Sequence, residues 1–424
     1  GPRERVAGAW PAAATSIWRF IGAAAGPAKS LREAAPSLLP EVRGAHGTPG
    51  APARGRAARV PAAPRGQVRA LRPQVHVLIA YEVVDGEQIS PEYDTPAFRA
   101  ELAEWFAPLD LEWVWTPVTF ASLGAVVANL QRRFRQGPLA VFNLCDGSEV
   151  DGYPGQSVIA ALSAAGLPFT GASEGFYRTT TSKLLTKRRF ISSAVPTPPT
   201  IRVESLDRDL ARAAVELEFP VIVKPDVSAG SYGIQIDSVC VDAFSAKRRI
   251  LALRHDRYIA ACDIFLETYV SGREFTVFVV EDSDASMGLR VLTPCERVFD
   301  ERLPELERFV IYERHWDLPE ARRSLPEGSP YCRHVPVSGR LREELETLVR
   351  SAVRAVGGVG YARCDIRQDA RTGKLYVLEV NSQCDLSRDP ASEIGAILEF
   401  SGLGISDLIE MILDHALTRP AEAS

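Results

Sequence analysis

The sequence predicts an α/β protein whose second half turns to α+β, and three observations predict it. Apolar strands alternate with amphipathic helices between residues 75 and 168. A hydrophobic strand then runs into a loop of small residues within 218–239. A polar hairpin occupies 361–381, directly after the clearest helical pattern in the chain.

The 424 residues are 46% hydrophobic and 24% charged, enough for two or three domains. A formal net charge of −5 gives no reason to expect a nucleic-acid partner. No apolar run approaches the ~20 residues of a membrane-spanning helix, so no membrane partner is expected. The seven cysteines are odd in number, scattered and free of CxxC spacing. That pattern argues against a disulfide framework and a structural zinc, and for a reducing, cytoplasmic setting.

Residues 1–72 differ from the remainder. They are rich in Ala, Pro and Arg and carry twelve Lys/Arg against three Asp/Glu, the composition of a largely disordered basic tail. Gly1-Pro2 reads as an expression-tag scar, and 12–34 as a short helix around Ile17, Trp18, Phe20 and Ile21. An Arg-rich, acid-poor start also resembles an organellar transit peptide. A plain basic tail has the same composition.

Order is expected from Val75. VHVLIAY (75–81), LEWVWTPV (111–118) and PLAVFNL (138–144) read as strands, with helices at 95–109, 122–134 and 155–168. This alternation implies a parallel sheet covered on both faces. Ligands of such sheets sit beyond the carboxyl ends of the strands. The loop NLCDGSEVDGYPGQ (143–156), with Glu149 and Asp151, is therefore a candidate substrate loop; a solvated acidic loop fits it equally.

Next comes the helix TSKLLTKRRFISSA (181–194), with Lys183 and Lys187 four apart on one face. EFPVIVKPDVSAGSYGIQIDSV (218–239) delivers Lys224 at the end of an apolar strand. A loop with Gly230, Ser231 and Gly233 follows, then a second strand. Small residues let the backbone approach phosphate oxygens, and the Lys supplies a point charge. IFLETYVSGREFTVFVV (264–280) sets Glu267 and Glu274 around a Ser271-Gly272 turn. From 287 to 340 periodicity is weak, and ERFVIYERHW (307–316) is a candidate flap. The helix at 338–358 has one apolar stripe through Leu345, Val349 and Val353 and stops at Gly357. SDLIEMILDHAL (406–417) is the closing helix.

The hairpin reads YARCDIRQDARTGKLYVLEVN. Alternation puts Arg363, Asp365 and Arg367 on one face of its first strand, and Glu379 and Asn381 on one face of its second. Asp365, Glu379 and Asn381 are hard oxygen donors without His or Cys, a set that suits Mg²⁺. A solvated surface hairpin would read the same on this stretch alone.

The order of these pieces resembles the ATP-grasp superfamily, and within it the D-alanine–D-alanine ligase-like carboxylate–amine ligases. FPVIVKP, FLETYVSGREFTV, YARCDIR…LYVLEVNS and SAAGLPFTGAS (163–173) carry the resemblance across about 75–416. It implies an ATP-grasp fold with an N-terminal parallel-sheet domain (73–175), a small central lid subdomain (176–262) and a C-terminal mixed-sheet subdomain (263–418). It implies ATP as cofactor with two Mg²⁺ ions, Mn²⁺ being an alternative. Lys183, Lys224 and the Ser231 loop would meet the phosphates. Glu267 and the main chain at Val270 would meet adenine, and Glu274 the ribose. Asp365, Glu379 and Asn381 would hold the metals, and Arg363 would stabilise the transferred phosphoryl group. The reaction implied ligates a small-molecule carboxylate to an amine through an acyl phosphate, with release of ADP and phosphate. By analogy the enzyme is a homodimer.

The chain departs from the family at the amino-acid pockets. The loop after the first strand, IAYEVVDGEQISPEYDT, lacks the family's Gly pair, and CDGSEVDG stands for HGxxGEDG without its His. After Asn381 the family's Pro-Gly-Met turn is replaced by SQCDLSRDPASEIG, which puts Asp385, Ser387 and Arg388 near the acceptor. The flap's Lys-Tyr aligns with His315-Trp316, beside Arg314. The expected substrates are therefore not two D-alanines. A D-alanine–D-alanine ligase and a catalytically silent, synapsin-like ATP-binding module are the alternatives.

Overall fold

In a computed structural model, the structure describes residues 66–419 apart from 85, 92–93, 150–151, 257–258, 283–284, 286–287, 316–324 and 326–329. The helix expected within 12–34 lies outside the described residues. Order begins before Val75. A short helix α1 (Gln67–Leu71) buries Val68, whose N–H donates to Asp414 Oδ1 at 2.7 Å, while Arg69 pairs with Glu410. The last residues of the expected tail are thus docked on the C-terminal helix. One buried valine and two acidic partners 346 and 341 residues downstream leave no local composition signal.

The first unit holds β1 (Gln74–Ala80), the small hairpin β2 (Glu82–Val84) and β3 (Glu87–Ile89), α2 (Pro96–Phe106), β4 (Trp113–Val118), α3 (Leu123–Phe134), β5 (Leu139–Asn143) and α4 (Gln156–Ala164). Its sheet is parallel, in the order β4-β1-β5. β1 after Gln74 and all of β5 are buried, and apart from His76 and Asn143 they are apolar, because helices cover both faces. Two linking helices follow, α5 (Glu174–Thr181) and α6 (Lys183–Ser192); Phe176, Tyr177 and Phe190 belong to the core shared by the first and last units.

The central unit contains β6 (Thr200–Arg202), α7 (Leu206–Glu216), β7 (Val221–Pro225), β8 (Val239–Cys240), α8 (Ala243–His255) and β9 (Ile264–Thr268). Its four strands run in the order β6-β9-β7-β8. The strand carrying Glu267 pairs within the central sheet, although residues from 263 were expected with the last subdomain. The physical reason is burial: Ile264 and Leu266 complete the apolar face of Val221, Val223, Ile201 and Ile250. The second strand expected after the small-residue loop is mostly a single helical turn at Ile236–Ser238, followed by the two residues of β8.

The last unit contains β10 (Gly272–Glu281), β11 (Leu289–Val291), β12 (Cys295–Phe299), α9 (Tyr312–His315), β13 (Cys332–Pro336), α10 (Gly339–Ala355), β14 (Tyr361–Asp369), β15 (Leu375–Asn381), α11 (Glu393–Ser401) and α12 (Ile405–Thr418). Its main sheet runs β13-β12-β10-β14-β15, with β11 pairing β10. The strands β12 and β13 fall where periodicity looked weak. Cys295, Arg297 and Phe299 point inward on β12, and an arginine in an inward position erases the apolar signal. The first part of the expected flap is packed: Phe309 and Ile311 are buried against Ile222, Ile234 and Tyr269.

Candidate active site

Period-two alternation in two sheets aims the polar residues into one cavity. On β14, Ala362, Cys364 and Ile366 enter the core while Arg363, Asp365 and Arg367 face the cavity. On β7, Val221 and Val223 enter the central core while Ile222 and Lys224 face it. The cavity is also lined by Lys183, Ser231, Glu267, Val270, Glu274, Glu379, Asn381 and Asp385. Eleven of the candidate site residues thus meet in one place, with Arg367 beside them.

Cross-strand register arranges the large sheet's contribution in rows. Asp365 is paired with Thr276 on one side and Glu379 on the other, and Arg363 is paired with Asn381. The register shifts beside Asp365 because Leu378 is an extra residue on β15, a bulge that keeps Glu379 and Asn381 on the cavity face. Thr276 Oγ1 donates to Asp365 Oδ1 at 2.9 Å, and Asn381 Nδ2 donates to Asp365 Oδ2 at 3.2 Å and Glu379 Oε1 at 3.4 Å. Arg363 binds Asp365 Oδ2 through Nε (3.3 Å) and Nη2 (3.2 Å), and Asp385 Oδ1 through Nη1 (3.2 Å).

Burial, opposed by Arg363 and reinforced by Glu379, raises the pKa of Asp365. Burial also works against ionised Glu379, but Lys183, Lys224 and Arg363 outweigh it and hold that carboxyl below its ordinary value. A buried and a half-buried carboxylate beside an amide, with no sulfur or imidazole among them, fit a hard divalent cation shared with phosphate oxygens. Asp365 and Glu379 would hold it through oxygen, and Asn381 through the oxygen of its amide. Such an ion supplies charge neutralisation for a transferred phosphoryl group.

The lysines are held at the opposite wall. Lys224 Nζ donates to Glu267 Oε1 at 2.8 Å, and the buried Lys187 pairs with Glu267 Oε2 and donates to Thr197 Oγ1 at 3.0 Å. Burial disfavours the charge on Glu267, yet the two lysines lower its pKa. Lys183 Nζ donates to the Ser228 carbonyl at 2.7 Å, in the small-residue loop. That loop is tied to the start of α6, because Asp226 accepts from Ser182 Oγ and the Leu184 N–H.

Arg297, Glu393 and Gln383 carried no sequence signal, and Arg367 carried no role. Glu274 lies directly between Arg297 on β12 and Arg367 on β14, and its carboxylate takes both. Arg367 donates to Glu274 Oε2 at 2.9 and 2.7 Å and to the Val270 carbonyl at 2.9 Å. Arg297 continues to Glu393 on α11. Gln383 donates to the Asn143 carbonyl at 2.6 Å and joins the loop after β15 to the first unit. Gly171 (φ 92°) leaves room for it, since a Cβ there would lie 2.4 Å from Gln383 Oε1.

Four expected substrate residues lie elsewhere. Glu149 Oε1 accepts the Gly155 and Ser157 N–H groups at 2.9 and 2.8 Å, capping the start of α4. Arg314 is buried and braces the preceding turn through the Glu307 carbonyl at 2.5 Å and Glu307 Oε2 at 3.1 Å. Ser387 Oγ accepts the Asp389 N–H at 3.1 Å. Arg388 is exposed and pairs with Glu101 and Glu104 of α2. Asp151 and the side chain of His315 lie outside the described residues.

Residues 195–414 match the family model for the D-ala D-ala ligase C-terminus. The chain is 30% identical over 301 residues to the uncharacterized protein y4sG of Sinorhizobium fredii, covering 69% of this chain and 81% of that one. It is 29% identical over 260 residues to a D-alanine–D-alanine ligase of Ectopseudomonas mendocina, covering 60% of this chain and 73% of that one. A crystal structure of D-alanine–D-alanine ligase from Bacillus anthracis complexed with ATP shares the fold, with a TM-score of 0.54 at 17% identity, over 81% of this chain and 97% of that one. The chain belongs to the D-alanine–D-alanine ligase family and is an ADP-forming ATP-grasp ligase that uses ATP and Mg²⁺.

Proposed function

We propose that the protein joins a small carboxylic acid to an amine through an acyl phosphate, in pockets not built for D-alanine. The observation that carries this reading is the row Thr276–Asp365–Glu379 beside Arg363 and Asn381, facing two lysines across one cavity. Phosphoryl transfer depends mostly on positioning and charge neutralisation, which such a set supplies. The γ-phosphoryl group passes from ATP to a substrate carboxylate, giving ADP; an amine then displaces phosphate and leaves an amide.

Asp365, Glu379 and Asn381 hold the metal ions, and Arg363 neutralises charge on the phosphoryl group and on the tetrahedral oxyanion. Lys183, Lys224 and the loop at Ser231 take the phosphates. Glu267 and the Val270 main chain frame adenine. Glu274 frames the ribose from within its arginine row. Lys224 and Glu267 engage each other in this structure, so nucleotide binding transfers Lys224 from the carboxylate to a phosphate. Lys224→Ala is expected to weaken ATP binding about 10- to 100-fold, the worth of a charged hydrogen bond. Unchanged affinity in equilibrium titration would remove Lys224 from the phosphate site.

Incubation with ATP, Mg²⁺ and pooled amino acids tests the reaction. ADP release that needs an amino acid, with a matching condensation mass, supports a ligase. Tight ATP binding without turnover favours a silent module. The relatives named D-alanine–D-alanine ligase make D-alanine the competing substrate, and D-alanyl-D-alanine as the sole product would establish it. Homodimerisation is checked by light scattering.

A further inference from the structure

Glu267 is held by two lysines that stand in different places. Lys224 lines the cavity, with a side chain 15% exposed, and donates to Glu267 Oε1 at 2.8 Å. Lys187 pairs with Oε2 from outside the cavity lining, with a side chain 3% exposed. Its Nζ also donates to Thr197 Oγ1 at 3.0 Å, in the segment that leads into β6. A phosphate in the cavity can draw Lys224 away from Glu267. It cannot reach Lys187.

This asymmetry matters once nucleotide is bound. Glu267 is 1% exposed, and a buried carboxylate without a counter-charge takes up a proton, with pKa values of about 8–9 on record for buried glutamates. With Lys224 on a phosphate, Lys187 is the cation that stays. We propose that Lys187 is a positioning residue that keeps Glu267 a hydrogen-bond acceptor in the nucleotide complex, and so makes the site select a 6-aminopurine over a 6-oxopurine. The inference rests on the reading that Glu267 meets adenine and Lys224 a phosphate, and deepens it by naming the residue that sets base specificity.

The chemistry of the base edge carries the selection. The 6-amino group of adenine offers N–H donors, and an ionised carboxylate only accepts. A 6-oxo group presents lone pairs to the same oxygens and is repelled. A protonated Glu267 would donate to that oxo group, and the distinction would fade. In the unliganded site burial works against the charge on Glu267, and Lys187 leads the groups that oppose burial, ahead of Lys224. Lys183 is the next cation, with Asp226 beside it, and Glu379 on β15 acts on the same three lysines.

The test is equilibrium titration of the full chain with ATP and with ITP in Mg²⁺, which needs no turnover. Wild type is expected to prefer ATP about 100-fold or more, as a site built for a donor rejects an acceptor. Lys187→Gln keeps a donor toward Glu267 and removes the charge. The preference is expected to fall at least about tenfold, chiefly through tighter ITP binding. Equal weakening of both nucleotides, the mark of a merely structural lysine, overturns the inference. In Glu267→Gln the preference should fall as well. A fall there and none in Lys187→Gln leaves the adenine contact standing and overturns the role of Lys187; a fall in neither overturns both. Wild type supplies a check that needs no variant to fold. Its preference should hold constant from about pH 8 to about pH 6, across the range where an unpaired buried glutamate would take its proton. A preference that fades as pH falls through that range overturns the inference.

Discussion

Glu379→Gln is expected to abolish ligation, lowering ATP-dependent product formation by at least about 100- to 1000-fold, the scale of removing one aimed electrostatic group. The substitution preserves shape and one oxygen. It removes a carboxylate that Lys183, Lys224 and Arg363 hold ionised against burial. The amide no longer offers a charged oxygen to a divalent ion beside Asp365. Because Asn381 Nδ2 already reaches Glu379 Oε1 at 3.4 Å, an amide oxygen can accept the same bond. The melting temperature should then move by only a few degrees, roughly the effect of 1 kcal/mol. Product measured against Mg²⁺ concentration checks both parts, and wild-type turnover in the variant would sink the metal assignment.

Glu274→Ala is expected to act on stability. Its carboxylate is the common partner of Arg297 and Arg367, both buried. Removing it leaves two guanidinium groups facing each other in the sheet, with Arg297 still on Glu393 and Arg367 still on the Val270 carbonyl. Breaking a buried ion pair from one side costs about 3–5 kcal/mol, a fall in melting temperature on the order of 10 °C. A residue that served the ribose alone would lower ATP affinity and leave the unliganded melting temperature in place. Calorimetry without nucleotide separates the two.

The sequence made the chemistry of the site more legible than its limits. Strand alternation alone put Arg363 and Asp365 on one face and Glu379 and Asn381 on another, and the register joins the two faces. The bulge at Leu378 was hidden, because an extra residue on one strand depends on the geometry of its partner. The arginine row was hidden as well: alternation set Arg367 beside Asp365 but gave it no partner, and Arg297 had no signal until Glu274 and Glu393 are brought to it. The substrate residues were the hardest to place. A charged residue in a loop looks the same whether it caps a helix, as Glu149 does, braces a turn, as Arg314 does, or lines a cavity, as Asp385 does. Docking of α1 on α12 joins residues about 340 apart, beyond any local pattern.

The passage from β9 to β10 has a consequence for how this chain tolerates change. Glu267 and Glu274 stand on successive strands of different sheets, and only Tyr269, Val270 and Ser271 connect those strands. Both ends are fixed by pairing, Glu267 against Ile222 and Thr200, Glu274 against Arg297 and Arg367. The connection behaves as a ruler between two anchored marks. One inserted residue adds up to about 3.5 Å of chain, and neither sheet can slide to absorb it without turning inward side chains outward. The seven-residue interval between the two glutamates is set by the architecture, so length variation should collect in other connections.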